Sequence, residues 1–191
     1  MPFRHKPIDP LELLKVVVSE IPARVKSDKR ADWTEATKQV LCELGAENKF
    51  KVHASTHLGN ERLSEWLLDV VWYSSQPKGG IQLAVESELG KKSDVLEDFE
   101  KLMCVKAPLK LLMFEQGTSD VVKELEGYLA ESEQHIEGET YLLVDFAYGS
   151  HQCYKFVVPR PNNGKLKKGE VKFDLLLSGQ DRAQKASAAT H

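Results

Sequence analysis

A chain of 191 residues with a formal net charge of −3 is long enough to bury one sizeable core and reads by default as one domain; its mild acidity excludes a global basic field, so any contact with nucleic acid must come from a local patch. The three cysteines, Cys42, Cys104 and Cys153, are far apart with no C-x-x-C pair, which argues against a zinc site and suits a reducing cytoplasm. The opening MPFRHKPIDP lacks the apolar segment of a signal peptide, and no apolar run reaches the length of a membrane span, so the expectation is a cytoplasmic chain with no membrane partner.

Residues 1–30 read as an N-terminal helix and a basic link. Leu11, Leu14, Val18 and Ile21 form one stripe of a helix over 11–21, which Pro22 ends or kinks. Arg24, Lys26, Lys29 and Arg30 follow, as a solvated linker or a phosphate-contacting arm. Asp32 to Gly45 is the firmer helix, with Trp33, Thr37, Val40 and Leu44 on one face, Asp32 and Glu35 in its first turn and Gly45 as a C-cap. Phe50 to Ser55 alternates as a strand. His53 and His57 straddle its end and read as surface residues, and 58–65 is a loop carrying Glu61, Arg62 and Glu65.

Residues 67–90, LLDVVWYSSQPKGGIQLAVESELG, are the stretch around which the rest is organised. Two apolar runs of strand length flank the turn formers Ser-Gln-Pro-Lys-Gly-Gly. A symmetric antiparallel hairpin centred between Pro77 and Lys78 sets Asp69 opposite Glu86, with Cβ atoms ~5 Å apart. Glu86 and Glu88 share a face, while Ile81, Leu83 and Val85 point the other way, into a core. Three carboxylates thus gather on one face. At 4 Å like charges repel by roughly 1 kcal/mol in water and about 4 near a protein surface. Two explanations stand open: a hard divalent cation, which chooses oxygen ligands, or an edge strand with solvated acids.

After Gly90, Ser93 reads as the N-cap of a helix over 94–105 with Val95, Leu96, Phe99, Leu102 and Met103 inward and Asp94, Glu97 and Lys101 on the polar face. Leu109 to Phe114 is a buried strand that the crossover makes parallel to the hairpin. A helix over 120–133 and strands over 141–147 and 154–158 follow, with Asp145 as a paired structural acid. Residues 171–177 read as a final edge strand, and 178–191 as a disordered tail. From residue 160 on, Arg160, Lys165, Lys167, Lys168, Lys172, Arg182 and Lys185 outnumber Glu170, Asp174 and Asp181, the best candidate for a local phosphate patch.

Asp69, sixteen intervening residues and then Glu86-Ser87-Glu88 resemble the active-site signature of the PD-(D/E)XK nuclease superfamily, in the variant where Glu replaces the usual Lys, as in the restriction endonuclease BamHI. The likeness covers about residues 31–160. It implies an α/β fold over 31–177, a restriction-endonuclease-like mixed β-sheet flanked by helices on both faces. It also implies a metal-dependent nuclease that hydrolyses phosphodiester bonds of nucleic acid, DNA before RNA, with a homodimer open. Asp69, Glu86 and the Ser87 carbonyl would hold Mg2+ or Mn2+. Glu88 would accept the proton of an attacking water or help hold a second metal. Lys101 or Lys106 would stand in for the lysine absent at position 88, and Glu35 would be the extra acid that a preceding helix supplies. The alternatives are a catalytically inactive member of the same fold serving as an interaction module, and an unrelated α/β domain whose acids do no chemistry.

Overall fold

The computed structural model describes residues 8–27, 29–54, 67–74, 79–117, 119–133, 135–160, 165–166 and 169–180. His57, Glu61, Arg62, Glu65, residues 75–78, Lys167, Lys168, Arg182, Lys185 and the rest of 181–191 lie outside the described residues, while 178–180, expected to begin a disordered tail, belong to the last strand, Asp174–Gln180, which pairs with the strand before it. Among those described, the order is α1 (Pro10–Arg24), α2 (Arg30–Glu47), β1 (Lys51–Ala54), β2 (Val70–Tyr73), β3 (Ile81–Glu88), α3 (Lys92–Cys104), β4 (Leu109–Phe114), α4 (Ser119–Glu131), β5 (Thr140–Asp145), a 3-10 turn (Ala147–Gly149), β6 (Ser150–Val157) and β7 (Asp174–Gln180). The strands form one mixed sheet in the order of the sequence. β3, β4 and β5 run parallel, and antiparallel strands extend the sheet on either side. The expected α/β architecture, a mixed sheet flanked by helices, is what the chain forms.

Each face of the sheet is covered. Leu13, Leu14, Val17 and Ile21 of α1 and Ala36, Val40 and Leu41 of α2 pack on Val70, Trp72, Leu83, Val85, Leu111 and Val144. Val95, Phe99 and Leu102 of α3 and Val121, Leu125 and Leu129 of α4 pack on Val71, Ala84, Leu112, Phe114 and Leu143. This double burial explains why β4 is apolar at every position but Lys110: Leu109, Leu111 and Met113 serve one core, Leu112 and Phe114 the other. Burying each such side chain stabilises by about 2 kcal/mol, so a charge at Leu111 or Leu112 would break the layer it enters.

Local chemistry sets the helix ends. Asp9 caps α1 by accepting from the Leu11 N–H at 2.9 Å, ahead of Pro10 in the first turn. Pro22 does not end the helix, which runs on to Arg24 and closes with the Val25 N–H on the Ile21 carbonyl. Gly45 is not a C-cap. It is buried inside α2, where an added Cβ would lie 2.5 Å from Val52 Cγ2 and 2.7 Å from Trp72 Nε1. Glycine is needed there for the close approach of α2 to β1 and β2. The cap is Asn48, followed by Lys49 at φ 64°. Nor is Ser93 an N-cap: that position is Lys91, and Ser93 lies within the first turn, its hydroxyl donating to Asp94 Oδ1. Ile81 packs against the α3 and α4 layer rather than with Leu83 and Val85, at the point where the β2–β3 register shifts between Trp72 and Tyr73.

Candidate functional site

The hairpin register is Val70 against Val85, Val71 against Ala84 and Trp72 against Leu83. Continued by one residue, it sets Asp69 opposite Glu86, as expected. The Asp69 N–H donates to Glu86 Oε2 at 3.2 Å, and the Ser87 N–H donates to Asp69 Oδ2 at 3.0 Å. The tryptophan three residues on fixes this corner, because Trp72 Nε1 donates to the Leu41 carbonyl at 3.0 Å and ties β2 to α2.

Glu86 is 4% exposed, and its Oε1 has no hydrogen-bond partner among the described residues. Burial, reinforced by the nearby charges of Asp69 and Asp98, pushes its carboxyl up to about 9 against the pull of Lys101 and the Asp69 N–H. At neutral pH this side chain therefore holds its proton. Glu88, half-buried at the end of β3, is also raised, first by burial, then by Asp98 and Asp94, with the Gly90 N–H and the charge of Arg30 opposing. A side chain at Gly90 would collide with the Glu88 carboxylate.

Two further residues join the cluster from the helices, and sequence reasoning did not single out either. Asp98 of α3 is buried. Its carboxyl is raised by burial, although it accepts from Lys101 Nζ at 2.7 Å. Lys101, whose ammonium this bond holds above its usual range, feels Glu86 as well. Lys101, one of the two lysines the resemblance named, is thus bonded to Asp98 on the α3 side. Lys38 of α2 is the second: it is buried, and its Nζ lies 3.4 Å from Asp69 Oδ1. The resemblance pointed to Glu35 on this helix, but Glu35 is exposed, and Lys38 is the side chain α2 delivers. Both signals were present in the helical spacing. Asp98 falls three after Val95 and four before Leu102, and Lys38 three before Leu41. Each lies on or beside an apolar stripe, where a charge is out of place without a partner.

The other candidates fall elsewhere. Lys106 is exposed at the end of the α3–β4 link. Asp145, also raised by burial, accepts from the Gln116 and Gly117 N–H groups and holds the β4–α4 link in place. Gln116 in turn donates to the Gly90 carbonyl at 2.9 Å, joining that link to the turn after Glu88. Of the C-terminal basic residues, Lys165 pairs with Glu133.

No family model matches the chain, and no curated protein matches it.

As the side chains stand, no group of three or more His, Cys, Asp or Glu among the described residues is disposed to hold a metal ion. Asp69 Oδ2 is bonded to the Ser87 N–H, Asp69 Oδ1 faces Lys38, and Glu86 Oε2 takes the Asp69 N–H. Glu86 Oε1 has no hydrogen-bond partner among the described residues. The donor chemistry still suits a hard divalent cation: carboxylate oxygens, with no sulfur or imidazole among them.

Proposed function

We propose that this chain is a divalent-metal-dependent nuclease acting on nucleic acid, DNA before RNA, with Asp69, Glu86 and Glu88 at its centre. The observation that carries this reading is the Oε1 of the buried Glu86, opposite Asp69, which has no hydrogen-bond partner among the described residues. A structural acid in a core is expected to have its polar atoms satisfied, and leaving one unsatisfied costs about 1–3 kcal/mol. A cation that needs this oxygen gives the cost a purpose.

Asp69 and Glu86 would hold Mg2+ or Mn2+ with the Ser87 carbonyl. In an extended strand a residue's N–H and C=O leave on the same side, and the Ser87 N–H points to Asp69, so its carbonyl turns toward the same edge. When bound, such a cation polarises a phosphate oxygen and makes hydroxide available near neutral pH. Glu88 supports the base role, since a carboxyl lifted above its usual range is a better proton acceptor from water. Lys101, anchored by Asp98, sets a positive charge beside Glu86. Glu86 must give up its proton to act as a ligand.

The test is cleavage of single-stranded, duplex and flapped DNA and of RNA in Mg2+ or Mn2+, with Asp69→Ala as control. Cutting that the control abolishes supports the proposal. Absence of cutting on every substrate sinks it. The Lys38–Asp69 pair favours a second reading, a non-enzymatic member of the fold whose acids are balanced internally. That reading expects nucleic-acid or protein binding without cleavage.

A further inference from the structure

Lys38 is 6% exposed. A lysine is almost never so buried unless it is paired, and Asp69 is its ion-pair partner among the described residues, at 3.4 Å. The two oxygens of Asp69 are differently placed. Oδ2 accepts from the Ser87 N–H in the main-chain frame of β3, whereas Oδ1 faces the Lys38 ammonium. The oxygen more easily surrendered to a cation is therefore the one that Lys38 already holds. Lys101 does not compete for it, because its ammonium is bonded to Asp98 on the α3 side.

We infer that Lys38 is a tethered counter-cation of this site: its ammonium and a divalent cation compete for Asp69 Oδ1, so the Lys38–Asp69 pair must open for the metal to bind. This rests on the metal-binding reading above. Two cations on one carboxylate oxygen repel each other, and the repulsion is strongest where water is excluded. The buried stem of Lys38 keeps its charge close by at all times, so the pair sets a threshold cation concentration for loading. Removing the charge should lower that threshold, and keeping it should not.

The experiment is calorimetric titration of Mn2+ into the whole chain, without nucleic acid, for wild type, Lys38→Met and Lys38→Arg. Lys38→Met is expected to bind at least about tenfold more tightly than wild type, and Lys38→Arg to stay within about threefold. If wild type binds Mn2+ and Lys38→Met binds it equally or more weakly, the counter-cation role is overturned while the metal reading stands. If neither binds Mn2+, both fall. Should Lys38→Met not fold, the wild-type protein still decides. Its Lys38 ammonium resonance, assigned by its loss in Lys38→Arg, should move on saturation with Mg2+, and an unmoved resonance overturns the inference.

Discussion

The backbone N–H of Asp69 donates to Glu86 Oε2 at 3.2 Å, so the two opposed acids meet through the main chain rather than carboxylate to carboxylate. The Asp69 carboxylate turns instead to the Ser87 N–H and to Lys38. The repulsion expected of facing like charges is therefore divided unequally. Asp69 is balanced by a cation, and Glu86 is relieved by holding a proton. The two acids should respond in opposite ways to mutation.

Glu86→Gln should stabilise the protein in EDTA at neutral and alkaline pH. The wild-type carboxyl is raised from 4.5 to about 9 on folding. Below 4.5 it is protonated folded or unfolded and makes no difference. Between 4.5 and about 9 the unfolded chain gives up the proton and the folded chain keeps it. Wild-type stability then falls with rising pH by roughly 1 kcal/mol per unit from this group. The check is urea unfolding from pH 4 to 9: the advantage of Glu86→Gln should grow across the window. Parallel curves for the two proteins would refute it.

Asp69→Asn should destabilise, by ~3 kcal/mol, because it leaves the buried Lys38 ammonium without its counter-charge. Lys38→Met made in the same background should recover part of the loss. A double-mutant cycle by denaturant unfolding measures the coupling, and zero coupling would mean that the pair contributes nothing.

Gly45→Ala should cost ~1–3 kcal/mol despite the better helix propensity of alanine. The added Cβ falls 2.5 Å from Val52 Cγ2 and 2.7 Å from Trp72 Nε1, and overpacking outweighs the ~1 kcal/mol that alanine brings to a helix. Tryptophan fluorescence should shift as well, since the indole N–H bond to Leu41 is the contact disturbed. A mutant as stable as wild type would show that α2 can move away freely.

At the other end of β4, Lys110 Nζ bonds to Glu139 Oε2 at 2.8 Å and to the Tyr141 hydroxyl at 3.0 Å, all three buried. Lys110→Met alone should cost ~3–5 kcal/mol by stranding Glu139, and adding Glu139→Met should restore most of it. Thermal unfolding of the singles and the double checks this. A double mutant no better than the singles would mean that the pair holds the register of β4 on β5 rather than only balancing charge.

The sequence by itself determined the elements whose signal is local. A run of turn formers between two apolar runs of strand length dictates the β2–β3 hairpin, and a symmetric turn sets its register, so Asp69 opposite Glu86 was legible. Five of the six residues of β4 are apolar and leave little room for a solvent face, and a helix between two strands requires the parallel crossover. Tertiary structure decided what each helix face meets. Gly45 reads as a helix terminator until β1 and β2 lie against it. Asp98 and Lys38 were not singled out at all, and their roles emerge only when the sheet brings Glu86 and Asp69 to them. Helical periodicity tells which side chains share a stripe, but not how wide the contact is or which strand end lies beneath it. The protonated state of Glu86 has the same origin. Of its neighbours, Asp69 immediately precedes β2 while Asp98 and Lys101 both lie on α3, and the burial that keeps its proton on exists only once the layers have closed over it.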